Sequence, residues 1–258
     1  MRSKNITKFV TLLLTMAMLL CLMACGGGNA EFESQGSIAY ELGGLRYRLL
    51  TSGETAPGET YPLVLFLHGS SGAGRDNISQ MIPGQVSGVI EGVRLHGEPS
   101  FVYFPQYPSP SRSWGQSAKT RRQVMDALWQ IAEDYPVDTS RIYITGLSSG
   151  GNGTWHFLHD YPGVFAAAMP LCGWYEPKGE KLEDIDYSFL LDIPLQIAHN
   201  SGDDVVDAEG SRRIVRALDA LGHESMTYTE YPWDNHNCWS EFYNTPAVWD
   251  WLFAQIKK

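Results

Sequence analysis

The sequence predicts an α/β fold, a mostly parallel central sheet with helices on both faces and an antiparallel hairpin at its start. Three observations carry this. Short runs such as YPLVLFL (61–67) are apolar at every position, as suits strands buried on both faces. Such runs alternate with stretches of helical spacing, the order of parallel strands joined by crossover helices. One β-branched strand, RIYIT (141–145), also passes without a linker into Gly146-Leu147-Ser148-Ser149-Gly150 and then a helical segment.

The elements follow in chain order. SIAYEL and LRYRLL (37–42 and 45–50) read as a hairpin turning at Gly43-Gly44. YPLVLFLHG is a buried strand bounded by Pro62 and Gly69, and FVYFPQY (101–107) is another, ended by a proline-rich loop from Pro108 to Trp114. Val124, Ala127, Leu128 and Ile131 recur at helical spacing, with Arg121, Arg122, Asp126 and Glu133 placed for the solvent face of a crossover helix. After Ser148 a second helix runs to Tyr161-Pro162-Gly163, and FAAAMPLCG and PLQIAH give two more strands. Glu209 to Leu221 is helical, with Ile214, Leu218 and Leu221 on one side; SMTYTEY is the last strand, and TPAVWDWLFAQI a closing helix that starts near Pro246.

Composition bounds the setting. Arg2, Lys4 and Lys8 precede an apolar run from Phe9 to Met23, too short and one-sided for a membrane span, which reads as a secretory signal. Leu22-Met23-Ala24-Cys25 followed by three glycines resembles the bacterial lipoprotein cleavage box, although Met23 is an unusual occupant of its position. That resemblance implies removal of residues 1–24, lipid on Cys25, a flexible tether over 25–36, a domain over 37–258, and an extracytoplasmic protein anchored to a membrane. Loss of the three leading cations takes the formal charge from -10 to -13. A surface so acidic repels nucleic acid and anionic polymers. Cys172 and Cys238 remain, both expected at one edge of the sheet in an oxidising compartment, where a disulfide between them and a pair of free buried thiols are equal alternatives. Neither has the spacing of a metal site, and no cofactor is expected.

The G-x-S-x-G pattern between strand and helix is a site for a strained, exposed nucleophile, with glycines leaving room for the turn. A serine hydroxyl is weak at neutral pH, so Ser148 needs a base, and the base needs an orienting carboxylate. Chemistry in parallel sheets gathers at the carboxyl ends of the strands. His96 and His223 precede strands and fall at the other edge; His156 and His159 lie on the helix after the serine; His68 and His199 end strands but begin loops with their own tasks. His236, just beyond the last strand, is left as the base. For the acid, Asp203 and Asp204 in NSGDDVVD share the correct edge and the sheet argument does not separate them, with Glu176 as an outside candidate. Two backbone N–H groups should meet the developing oxyanion, one from Ser149 at the helix start and one from Ser70 in LHGSSGAG.

Together these residues resemble the α/β-hydrolase superfamily, within it the secreted carboxylesterase-like group of feruloyl and acetylxylan esterases, polyhydroxybutyrate depolymerases and predicted peptidases. The resemblance rests on LVLFLHGSSGAGRDN, FPQYPSPSRSW, VDTSRIYITGLSSGGNGTW, FAAAMPLCGW, DDVVD with Ser211-Arg212, LDALGH, TEYP and HNCW, across nearly all of 37–258. It implies Asp203 as the acid and His236 as the base. Ser149 stands where many relatives have Met, Asp207 where Pro is common, and Asn200 where Gly often follows the strand-end His. Trp114, Trp174, Trp233 and Trp239 fall in loops at the active edge, where indole faces would stack on sugar or phenolic groups. The leading expectation is a serine carboxylesterase. A peptidase or amidase would use the same triad, and a non-catalytic glycan-binding lipoprotein would be expected to lack one of its members.

Overall fold

The computed structural model describes residues 35–111 and 113–257. The expected signal segment, Cys25 and the expected tether as far as residue 34 lie outside them. Among the described residues, eight strands form one sheet in the order β1-β2-β4-β3-β5-β6-β7-β8. They are β1 (Ile38–Leu42), β2 (Leu45–Ser52), β3 (Tyr61–Leu67), β4 (Ser100–Pro105), β5 (Val137–Leu147), β6 (Ala167–Leu171), β7 (Leu195–Asn200) and β8 (Met226–Tyr231). The β1–β2 and β2–β4 pairs are antiparallel, and every pair from β4 to β8 is parallel.

The helices are α1 (Pro83–His96), α2 (Ala118–Asp134), α3 (Ser149–Asp160), α4 (Glu209–Leu221), α5 (Trp239–Tyr243) and α6 (Pro246–Phe253). Because side chains alternate across a strand, the uniformly apolar β3 feeds two cores. Leu63, Leu65 and Leu67 join Phe101, Ile142 and Ile144 under α2, α3 and α4, while Val64 and Phe66 join Val102, Phe104 and Tyr143 under α1, α5 and α6. This sandwich leaves the carboxyl ends of β3, β5, β6 and β7 at one edge.

Two elements differ from the sequence reading. The periodicity does not announce α1, because Gly84, Gly88 and Gly92 dilute its apolar stripe. Packing explains two of them: a Cβ on Gly92 would stand 1.9 Å from Nε1 of Trp249, and one on Gly88 would stand 2.8 Å from Cβ of Tyr243. Trp249 is held at this seam by donating to the Tyr243 carbonyl at 2.7 Å. The second difference is Arg121, which faces inward and is buried. Its guanidinium pairs with Asp160 at 2.6 Å and donates to the carbonyls of Trp114 (2.9 Å) and Gly115 (2.7 Å), tying α2 to the end of α3 and to the loop after β4.

The seam yields a stability prediction. Gly92→Ala should lower the unfolding free energy by about 1–3 kcal/mol through overpacking, despite the better helix propensity of alanine. Denaturant titration of the two proteins, with unchanged or increased stability in the variant as the contrary result, measures it.

Candidate active site

Ser148 stands between the end of β5 and the start of α3 with φ +56° and ψ −119°, a conformation that side chains rarely adopt. The surroundings enforce it. A Cβ on Gly150 would lie 1.9 Å from the Leu67 carbonyl oxygen, so α3 can approach β3 this closely only at glycine. Ser148 N–H donates to Leu171 O at 3.0 Å and lies 3.3 Å from the Cys172 sulfur, and Ser148 O accepts from Asn152 N–H at 2.9 Å to begin the helix. Ser149 is the first residue of α3, so its amide lies at the positive end of the helix.

The loop after β3 is organised by His68. Its Nε2 accepts from Tyr107 N–H at 2.9 Å, so the proton sits on Nδ1 and is donated to Gly69 O at 2.6 Å. Complete burial pushes the pKa of this ring down to about 4, which keeps it neutral. Gly69 N–H donates to Gln85 Oε1 at 2.8 Å, and Gln85 Nε2 donates to Ser71 Oγ at 2.6 Å. The chain then turns through a single 3-10 turn, Ser70–Gly72, with Ser70 exposed at its start.

The candidate acid and base are set by the loops after β7 and β8. Asp203 Oδ2 lies 2.7 Å from His236 Nδ1, and its other oxygen accepts from the N–H groups of Val205 and Val206, each at 2.9 Å. The Asp203 side chain is 0 % exposed. Asp204 and Glu176 face solvent. The carboxylate that meets the histidine is therefore that of Asp203. Asn200 Nδ2 braces the histidine loop by donating to Asn235 O at 2.7 Å, and Trp239 meets the His236 ring edge-on at 5.4 Å. His236 Nε2 is buried and takes no hydrogen bond from the protein. It is an open acceptor.

Cys172 links these parts. Its backbone has φ +39°, its sulfur receives Ser148 N–H, and that sulfur lies within 4.8 Å of ligating atoms of both Asp203 and His236. Of the two alternatives for Cys172 and Cys238, the structure has the free thiols, both buried. Cys172 N–H donates to Ala198 O at 2.8 Å, and the Cys238 thiol donates to the same oxygen at 3.6 Å. Burial pushes the Cys172 pKa well above the usual thiol range, so the thiol stays protonated.

The four tryptophans divide. Trp114 is not a wall of the site, because it is 0 % exposed, packs on His68 and Tyr107, and donates its Nε1–H to His68 O at 2.9 Å. It braces the His68 loop from below. Trp174 is half-buried and accepts from Asn152 Nδ2 at 2.9 Å through its carbonyl. Trp233 stacks on Tyr231 with ring centres 4.7 Å apart and accepts from Gly202 N–H at 3.1 Å through its carbonyl, which steadies the acid loop. Trp239 donates its Nε1–H to Gly84 O at 2.8 Å.

A strand–elbow–helix serine and a buried Asp–His pair, on a sheet of this order, give the chain the α/β-hydrolase fold. Its relatives are consistent with the esterase group of that superfamily. A thermostable esterase of known structure superposes with a TM-score of 0.76 at 31% identity over 87% of this chain and 64% of its own. A bifunctional acetylxylan esterase/xylanase of Neocallimastix patriciarum is 26% identical over 175 residues, 66% of this chain. A feruloyl esterase module from Clostridium thermocellum superposes with a TM-score of 0.66 at 14% identity over 86% of this chain and 88% of its own, a likeness of fold alone. The chain spans 24% of the acetylxylan esterase/xylanase and just under two thirds of the thermostable esterase. No protein-family model matches the chain.

The buried imidazoles predict how stability varies with pH. His68 has its folded pKa pushed below its unfolded value, to about 4, so the unfolded chain binds the extra proton first. Stability should fall as pH is lowered from about 6.5 towards about 4, by up to about 3 kcal/mol from this ring. Denaturant midpoints across that window should slope less steeply in His68→Gln than in the wild type; equal slopes would refute the assignment.

Proposed function

We propose that this chain is a serine carboxylesterase working through an acyl-enzyme, with Ser148 as nucleophile, His236 as general base and Asp203 as orienting acid. The observation that carries this reading is the buried Asp203 carboxylate at 2.7 Å from His236 Nδ1, which leaves Nε2 as an unpaired acceptor on the same sheet edge as the strained serine. Ser148 Oγ attacks the ester carbonyl and passes its proton to Nε2. The oxyanion is met by the amides of Ser149 and Ser70, and the carbonyl re-forms as the imidazolium protonates the leaving alcohol. Water, deprotonated by the same nitrogen, then releases the acid and restores the serine. The absence of a Ser148–His236 hydrogen bond in the free protein suits a contact that tightens when substrate arrives.

The substrate class proposed is an ester carried on a carbohydrate, acetyl or feruloyl. Support comes from the acetylxylan esterase relative and from Trp174 and Trp233 on loops past the strand ends, with Trp239, expected in a loop, instead opening the short helix α5 beside His236. Indole faces offer flat apolar platforms to sugar and phenolic rings. An extracytoplasmic location, with the chain lipidated at Cys25, belongs to the same proposal. It is supported by the leading apolar run and by a relative of Arthroderma benhamiae described as a secreted protein, 31% identical over 116 residues.

Hydrolysis of short p-nitrophenyl esters, methyl ferulate, acetylated xylan and a peptide panel tests this directly. Ser148→Ala should abolish turnover on the esters, and Asp203→Asn should cost about 10⁴-fold in kcat while Asp204→Asn stays near wild type. Equal mild losses in the two aspartate variants would sink the acid assignment, and peptide turnover exceeding ester turnover would favour a peptidase. Mass analysis of the protein from native membranes should find Cys25 as a diacylated N-terminus; an unmodified Cys25 would overturn the anchor.

A further inference from the structure

Asp203 meets a second histidine. His199, the penultimate residue of β7 and four residues before Asp203, is completely buried. Its Nε2 lies 3.2 Å from Asp203 Oδ2 and 3.0 Å from Val206 O, and its Nδ1 lies 2.8 Å from Ser211 Oγ on α4. A carbonyl and a carboxylate can only accept, so a bare Nε2 would present one lone pair to two others. Nε2 must carry a proton. Burial favours the uncharged ring and lowers its pKa, so Nδ1 is then an acceptor. The Ser211 hydroxyl supplies the donor; its other acceptor, Gly173 O, is farther away at 3.2 Å.

The charged and titratable neighbours agree with a neutral ring. Glu230, beside His199 in the β7–β8 register, is held ionised with its pKa at about 2 chiefly by its hydrogen bonds with Arg212 of α4, so its charge is already matched. On the β6 side stands the Cys172 thiol, kept protonated by burial. Asp203 and His236 complete the set. The acid thus receives four donors: two amides on Oδ1, and His236 Nδ1–H and His199 Nε2–H together on Oδ2.

We infer that His199 is a positioning residue for the reaction: its Nε2–H, with the tautomer set by Ser211, orients the Asp203 carboxylate and limits how strongly that carboxylate holds the proton of His236. Two donors on one oxygen compete, so each is bound less tightly than it would be alone. The inference rests on the serine-hydrolase reading for its kinetic consequence, while the tautomer itself does not depend on activity.

Two measurements on the full chain test it. In ring-¹⁵N-histidine spectra of the wild type, His199 should carry its proton on Nε2 and none on Nδ1; an unprotonated Nε2 overturns the proposal whatever the activity. In kinetics, His199→Phe should lose about tenfold in kcat with little change in KM, the scale of one hydrogen bond to a charged group. Its acid limb in the pH profile of kcat/KM should move up by roughly half a unit, since Asp203 then binds the His236 proton more tightly. His199→Gln, whose amide can donate to the same oxygen, should recover most of both effects. A folded, active His199→Phe whose acid limb coincides with that of the wild type overturns the proposal and leaves the triad standing. An active Ser148→Ala would instead defeat the catalytic reading alone.

Discussion

The active edge depends on how closely α3 approaches the carboxyl ends of β3 and β6. At Gly150 a side chain would stand 1.9 Å from the Leu67 carbonyl, and at Gly151 2.3 Å from that of Leu171. The first turn of the helix is wedged between two strand ends with no space for a Cβ on either side. From that wedge follow the left-handed backbone of Ser148, the outward stance of its side chain and the placement of the Ser149 amide. The strain costs about 1–3 kcal/mol, and it persists because the buried sheet and both cores over-determine the turn.

Around the elbow, burial and hydrogen bonding work as one constraint. A carboxylate removed from water needs its lone pairs filled, and Asp203 fills them with backbone amides and two imidazoles instead of a cation. His68 solves the parallel problem in the loop after β3, with each ring nitrogen matched to a backbone group and the ring kept neutral by burial. Hydrogen bonds of this kind fix orientation without adding charge. His236 Nε2 is left unfilled, the nitrogen that the proposed chemistry requires to be free.

The aromatic and charged residues show how far composition can mislead. Trp114 follows a proline-rich loop and has the look of a binding platform, yet it lies beneath the His68 loop, and Arg121, at a wet-face position of the helical repeat, holds the carbonyls of Trp114 and Gly115 in the loop after β4. Both cases have one physical cause. A helical repeat or loop position gives a direction relative to the chain's own element, whereas burial depends on what another segment lays over it. The same holds for Cys172 and Cys238, neighbours on the Ala198 carbonyl whose thiols are nonetheless free.

Local pattern by itself determined the parallel sheet, the strand–Ser148–helix turn and the edge on which His236 lies, because strand period, glycine spacing and chain order are properties of contiguous residues. The tertiary structure decided what depends on distant contacts. It separated Asp203 from Asp204 by burying one carboxylate against His236 and leaving the other in water. It packed α1 by filling the hollows at Gly88 and Gly92 with Tyr243 and Trp249, and it brought His199 to Asp203 across a turn whose closure no spacing rule foretells. Partner choice for a buried polar group is settled only when segments remote in sequence exclude water together, and that event leaves no mark on any one stretch of chain.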